Sequence, residues 1–565
     1  VAENEVCQRI GKGTQANGYN PFMNIDRNNT MAPCVISGKR GGENTQRREK
    51  DPDDRGTKMS PSEMFAHHWI GGEWVDSEKR MESINPANGE TIGTYTEAGE
   101  AEATRAIAAA LKAFRETDWR KNRRLRAKVL NDMADRFEAR AEDLVELLAL
   151  ENGKVKSEAR FELSMVPSRL RFNAALALAD FGRAMETSPG RYTTTLREAA
   201  GVAGIITPWN SPVVLFIRSL APALAAGCTV VGKLPGFTAQ TNARMCEVFS
   251  EVASLPRGVV NIFTEVGSSG ARAMIDSPDV PVINLTGSSK TGQAIMAACA
   301  KNMKRFGGEL GGKTPVLLFD DADLDKALPK VEKALTVFAG QFCMTGSRLL
   351  VHRPILDIVR KRLAARLEAV KVGPASDPSS DMGPLINIAN VKRVDGLVEA
   401  AIAAGAKVVV RGGPFKDGPL AKGAFYRPTL LEISDHSMPI AQEEVFGAVL
   451  VMQAFDSEEE AVALANNSQY GLAASIWSTN VDRPLRIARQ IEAGTVWINN
   501  WAIIYAETEE GGYKQSGLGR LDGVSGMDDF VEYRTIIHEI DLGTTEYQAG
   551  KIDVFPEIGR ERTTL

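Results

Sequence analysis

The sequence predicts an α/β protein with more than one core, on three observations. Helical and strand patterns alternate along the chain, as helices packed on a mostly parallel sheet require. The strand candidates are short, rich in Val and Ile, and bounded by Gly or Pro, which is the pattern of strands buried on both faces. The chain has 565 residues, more than one hydrophobic core usually holds, so two or three domains are expected.

Residues 1–58 stand apart. They carry few large apolar side chains and end in a mixed-charge, Gly-containing stretch, a composition that cannot offset the entropy of ordering. They are read as a disordered extension, or as a mis-assigned start with Met59 as the true one. The first folded segment is His-Trp-Ile-Gly-Gly-Glu-Trp at 68–74. Residues 100–114 place Ala, Ile and Leu at helical spacing, and 126–150 continue with a second long amphipathic pattern. The Thr-rich alternation of 191–198 reads as a strand. Residues 201–206 form a short apolar run that delivers the chain to Thr207-Pro208-Trp209-Asn210, a strand leading into a loop. Residues 227–232, 259–263 and 280–285 repeat that design, the last followed by a glycine turn and a helix beginning at Gln293. Further strand–helix units follow at 316–319, 349–352 and 407–411, and 531–539 alternate again.

Bulk properties narrow the function classes. A net charge of −5 on a chain of this size gives no reason to expect nucleic acid or an anionic membrane as partner. The six cysteines are scattered without a CxxC pair, and only five histidines exist, so no metal is expected. No apolar run approaches the roughly 18 residues of a membrane span, and a charged region followed by an apolar stretch is missing at the N-terminus. A reduced, cytoplasmic setting fits and would keep thiols free.

The chemistry concentrates in two segments. Cys343 lies in Gly-Gln-Phe-Cys-Met-Thr-Gly-Ser-Arg at 340–348, and Glu309 heads Glu-Leu-Gly-Gly-Lys at 309–313, 34 positions earlier. A thiol and a carboxylate set among glycines are a nucleophile and a general base for acyl chemistry. Taken alone, the turn Thr286-Gly287-Ser288-Ser289-Lys290-Thr291-Gly292 is a weak dinucleotide signal, equally readable as a plain βα connection.

Together these segments resemble the aldehyde dehydrogenase superfamily, from about residue 69 to 534, including the late run Glu510-Gly511-Gly512-Tyr513-Lys514-Gln515-Ser516-Gly517. The resemblance implies a doubly wound Rossmann-type cofactor domain (59–176 and 200–308), an α/β catalytic domain (309–512) and a small β oligomerisation element (177–199 with 527–547), assembled as a homodimer or homotetramer. It implies NAD- or NADP-dependent oxidation of a small aldehyde to the acid. Cys343 would form the thiohemiacetal and thioester, Asn210 with the Cys343 backbone N–H the oxyanion hole, and Glu309 would activate the hydrolytic water. Lys233, Gly287, Ser288, Gly292, Trp209, Glu444 and Phe446 match the family's cofactor contacts. A coenzyme A-acylating enzyme is the first alternative, disfavoured by the presence of Glu309. The second is a catalytically idle structural member, disfavoured because Asn210, Glu309 and Cys343 are all intact.

Departures from the family pattern matter too. Lys233-Leu234-Pro235-Gly236 lacks the Glu that usually grips the adenosine ribose, which removes a repulsion against a 2′-phosphate and opens the site to NADP. Ser211 stands where Phe is common, Arg218 where Trp is frequent, and Glu509-Glu510 replaces Pro-Phe. Arg218 resembles the carboxylate-gripping Arg of succinate semialdehyde enzymes. Alternatively, Arg218 pairs with Glu510 and neutralises itself. The expectation is a polar or semialdehyde-type substrate, with Trp501 able to stack on an aromatic one.

Overall fold

The computed structural model describes residues 64–179 and 182–540. Residues 1–58, and 541–547 of the expected oligomerisation element, lie outside them. Five parallel strands form the centre of the first sheet. In spatial order they are Arg305–Glu309, Val282–Thr286, Val202–Ile206, Thr229–Pro235 and Val260–Glu265. In chain order that is fifth, fourth, first, second, third, so the winding reverses between Val202–Ile206 and Val282–Thr286. The antiparallel pair His68–Ile70 and Glu73–Val75 covers one edge, and Gly517–Leu518 covers the other. Helices pack on both faces. Arg123–Ala139, Lys156–Ala179, Pro212–Ala226 and Ala239–Ser250 supply one core, and Glu100–Glu116 with Ser269–Asp276 the other. Every residue of Val202–Ile206 and of Pro212–Ala226 is buried, which explains their unbroken apolar character. In such a sheet, ligands bind beyond the carboxyl ends of the strands at the reversal.

A second sheet has seven strands, ordered Lys407–Val410, Thr429–Glu432, Val449–Phe455, Arg348–His352, Pro315–Leu318, Ala473–Trp477, Thr495–Ile498. All pair in parallel except the first, which is antiparallel to its neighbour. Arg183–Ser188, Arg191–Ala199 and Val531–Glu539 form a third, antiparallel sheet.

Three local expectations change. The pattern over 126–150 is two helices, Arg123–Ala139 and Ala141–Asn152, broken at Arg140, whose guanidinium is drawn to Asp143, Glu247 and Glu251. The helix after the glycine turn begins at Ser289, four residues before Gln293. Ser288 caps it by accepting from Thr291 N–H at 3.2 Å, and Gly292 lies inside it, where a Cβ would meet Leu310 at 2.7 Å. The strand expected over 227–232 runs on through Lys233 to Pro235, because the neighbouring strand pairs with it that far.

Candidate active site

Three chain segments converge where glycines let them approach. A Cβ on Gly312 would overlap the Cys343 carbonyl, and one on Gly311 would meet Glu444 Oε2 at 2.5 Å. A Cβ on Gly340 would overlap the backbone of Gly447. The Glu309–Gly312 run, the Cys343 loop and the 444–447 turn are thereby pressed together. Glu444 Oε1 also accepts from Gly312 N–H at 3.1 Å. Phe338 and Ala339 approach the loop in the left-handed region, with φ of 51° and 55°, a local cost on the order of 1 kcal/mol each. From the other side, Gly287 N–H donates to the Glu309 carbonyl at 3.0 Å, which ties the glycine turn to the end of the Glu309 strand.

Asn210 is buried just beyond the first parallel strand. Its Nδ2 donates to the carbonyl of Gln341 at 2.9 Å, two residues before Cys343. An amide nitrogen carries two hydrogens, so one donor remains for a ligand. The Asn210 backbone is clamped by two residues with no counterpart in the sequence-level expectations. Lys154 Nζ donates to the Asn210 carbonyl at 2.7 Å and pairs with Glu162 at 2.5 Å, and Glu162 Oε1 accepts from Val213 N–H at 2.9 Å. Ser211 Oγ lies 3.4 Å from the same ammonium.

Charge surrounds the pair. Burial pushes the Cys343 thiol well above its ordinary value. Glu510, Glu444 and Glu309 add to the rise, and Arg218 opposes it. Burial raises the Glu309 carboxyl well above the usual carboxylate range, with Arg218 and Arg520 pulling it back and Glu510 reinforcing it. Glu309 Oε1 is buried without a hydrogen-bond partner among the described residues. Arg218 pairs with Glu510 at 2.5 Å and donates to Thr286 Oγ1 at 3.2 Å, while its Nε has no partner there. Of the two readings open for Arg218, the structure holds the ion pair.

Of the residues expected to meet a cofactor, Trp209, Gly287 and Ser288 lie just beyond the carboxyl ends of the two strands at the reversal, Lys233 lies on the next strand, and Glu444 and Phe446 come from the 444–447 turn. Ser288 caps the helix Ser289–Ala300 through Thr291 N–H, which leaves the N–H groups of Ser289 and Lys290 to offer a phosphate. Trp209 lies edge-on to Phe446 at 5.6 Å and to Phe237 at 6.4 Å. The Lys233 ammonium makes no hydrogen bond or ion pair with any described residue, and burial lowers its pKa. Burial likewise raises Glu444 to about 7, with the Gly312 N–H and Lys313 opposing. Unspent donors around a crevice at the strand reversal fit a dinucleotide. Gly287 and Ser288 are brought to this crevice, whereas Gly292 serves helix–strand packing.

Beside Cys343 lies an apolar cluster. Phe161, Phe342, Ile503 and Ile504 pack with Cys343 against Phe338, Met344 and Trp501. Trp501 is buried, donates from Nε1 to the Met344 carbonyl at 3.0 Å, and meets Phe342 at 5.8 Å. Aromatic surface is therefore plentiful despite the departures at 211, 218 and 510. Phe342 was readable beside Cys343, but Phe161 comes from a helix whose own pattern gives no hint of this contact.

A family model described as the aldehyde dehydrogenase family matches residues 74–536. The chain belongs to the aldehyde dehydrogenase family. It is thus an oxidoreductase of the class that uses NAD or NADP. Betaine aldehyde dehydrogenase of Bacillus subtilis (strain 168) is 38% identical over 472 residues, covering 83% of this chain and 96% of that protein. The 2-hydroxymuconic semialdehyde dehydrogenase of Pseudomonas sp. (strain CF600) is 38% identical over 478 residues, covering 83% and 98%. Among solved structures, betaine aldehyde dehydrogenase from Staphylococcus aureus in complex with NAD+ superposes with a TM-score of 0.82 at 35% identity, covering 84% of this chain and 94% of that one. In a related structure of a point mutant of that enzyme, a cysteine is BME-modified. Among the described residues, no helix is long and apolar enough to cross a membrane.

Proposed function

We propose that this aldehyde dehydrogenase converts a polar aldehyde to the free carboxylic acid, with Cys343 as nucleophile, Asn210 in the oxyanion hole and Glu309 as base. The Cys343 sulfur, as thiolate, adds to the carbonyl carbon and forms a thiohemiacetal. The free Asn210 N–H and the Cys343 backbone N–H stabilise the resulting oxyanion, each donor worth about 10² to 10³ in rate. The nicotinamide, when bound, accepts the hydride that turns the thiohemiacetal into a thioester. Glu309, ionised, takes a proton from water; the hydroxide attacks the thioester, the C–S bond breaks, and the acid leaves with the thiolate restored. Lys233, Gly287, Ser288, Trp209, Glu444 and Phe446 would hold the dinucleotide, with NAD as the ligand seen in the similar structures.

The observation that carries this is the glycine-mediated convergence of the Glu309 and Cys343 segments beside Asn210. The substrate class follows from Arg218. With Glu510 already neutralising its guanidinium and Thr286 taking a second of its five N–H groups, Arg218 keeps donors but little net charge, which suits an oxo or hydroxyl oxygen better than a free carboxylate. The aromatic cluster suits a conjugated or ring-bearing body. The domain assignments above, and assembly through 177–199 with 527–547 into a dimer or tetramer, belong to the same proposal.

The test is cofactor reduction at 340 nm across succinate semialdehyde, an aminoaldehyde, benzaldehyde and hexanal, repeated on Cys343→Ala. The wild type should favour the polar or aromatic aldehydes, and Cys343→Ala should be inactive with all four. Undiminished activity in Cys343→Ala would overturn the nucleophile; a strong preference for hexanal would overturn the substrate class.

A further inference from the structure

Position 236 has no carboxylate, and it has no room for one. A Cβ on Gly236 would overlap the Val266 side chain and meet Tyr95 Oη at 2.6 Å. Two other carboxylates come to Lys233 instead. Lys233 is the register partner of Phe263 on the neighbouring parallel strand, and Glu265 lies two residues further along that strand. With a side-chain period of two, Glu265 shares its sheet face with Lys233. Glu97 arrives from a different part of the chain. Its carboxylate accepts from Val266 N–H at 3.0 and 3.1 Å and from Gly267 N–H at 3.3 Å.

Both acids are buried and pinned. Glu265 Oε1 accepts from Gly270 N–H at 2.8 Å and from Ser269 Oγ at 3.1 Å, and its Oε2 accepts from Ala271 N–H at 3.1 Å. It therefore fills the N-terminus of the helix Ser269–Asp276, a feature that otherwise attracts anions. The charges that act on Lys233 are Glu265 and Glu97, both acidic.

We infer that Glu97 and Glu265 make the adenosine end of the cofactor site selective for NAD over NADP. This rests on the proposed placement of the adenosine ribose beside Lys233. Sites that accept a 2′-phosphate use an arginine, whereas an acid beside the ribose suits the 2′-hydroxyl. Here two acids from elsewhere in the chain stand in for the missing glutamate: Glu265 on the sheet face of Lys233, and Glu97 on the N–H groups next to Glu265. The expectation that its loss admits NADP is thereby reversed.

The test uses the full-length protein without any aldehyde, titrated with NADH and with NADPH and followed by nicotinamide fluorescence. The wild type should bind NADH at least about 100-fold more tightly, since like charges at a contact cost several kcal/mol. Glu97→Gln and Glu265→Gln keep an acceptor for the backbone N–H groups while removing charge. Each should narrow the NADH/NADPH ratio about tenfold. Equal binding of the two cofactors by the wild type, or an unchanged ratio in both folded variants, would overturn the inference. The wild-type ratio decides even if a variant fails to fold. Failure to bind either cofactor would instead overturn the assignment of Lys233 to the cofactor site.

Discussion

Lys154–Glu162 and Arg218–Glu510 are both ion pairs with almost no exposed surface, and both lean on the helix Pro212–Ala226. In the first, the partners are fully used: Lys154 serves Glu162, the Asn210 carbonyl and Ser211, and lies 4.0 Å from the Phe338 ring centroid, while Glu162 takes the first N–H groups of the helix. In the second, Arg218 Nε is unpartnered, and its charge acts on Glu309 and Cys343. A saturated pair behaves as a clamp on the backbone. A pair with donors to spare sets the electrostatics of whatever lies beside it, and the two should respond differently to mutation.

The largest effect is expected at the clamp. Lys154→Met leaves the Glu162 carboxylate buried without its cation, which costs about 3 to 5 kcal/mol of stability. Chemical denaturation should show that loss, and the double variant Lys154→Met/Glu162→Leu should recover much of it, since both charges are then gone. A Lys154→Met protein of wild-type stability would remove the distinction between the two pairs. Asn210→Ala comes next. It removes the oxyanion donor without stranding a charge, so kcat should fall about 10² to 10³-fold, roughly 3 to 4 kcal/mol, with stability little changed. A loss confined to KM would mean that Asn210 binds the substrate and does not act on the transition state.

Much of this was legible in the sequence, for a physical reason. Parallel strands buried on both faces leave short apolar runs ended by Gly or Pro, so 201–206, 259–263 and 280–285 could be read directly. The candidate nucleophile and base were legible because close backbone approach forces glycines beside them. The helix break at Arg140 was not, because no Gly or Pro marks it and the apolar period runs through. Lys154 and Glu162 were equally hidden: two charged residues eight apart near a helix look solvated until the fold encloses them. Glu97 follows a strand of a separate three-stranded sheet and Glu265 ends a strand of the first, so the two meet only once the fold brings Glu97 onto the N–H groups of Val266 and Gly267. Lys313, pulled down to about 7 by burial and by Arg348, stood in the Glu-Leu-Gly-Gly-Lys run without a role to mark it.

The second pair is tested by pH. Glu309 works as the ionised base, and its raised pKa means that activity falls as pH drops through that raised value. Arg218 opposes the rise, so Arg218→Gln removes a positive charge that favours the ionised form, and it also frees Glu510 to reinforce the rise. Both changes have the same sign. The acid limb of the kcat profile should move to higher pH by about one unit, equivalent to about 1.4 kcal/mol. A limb that stays in place would mean that Arg218 and Glu510 serve packing and not the base.

The smallest effect separates contact from contribution within the clamp itself. Ser211 is buried and stands where an aromatic residue is common, but its Oγ is 3.4 Å from a Lys154 ammonium that already has two closer partners. The bond to the third N–H of the ammonium is the longest of the three, so Ser211→Ala should cost about 1 kcal/mol or less. Thermal denaturation and kcat/KM on the same aldehyde panel check this together. If Ser211→Ala instead changed the ranking of the aldehydes while stability held, Ser211 would line the substrate path, and Lys154 would be holding a specificity residue as well as a backbone.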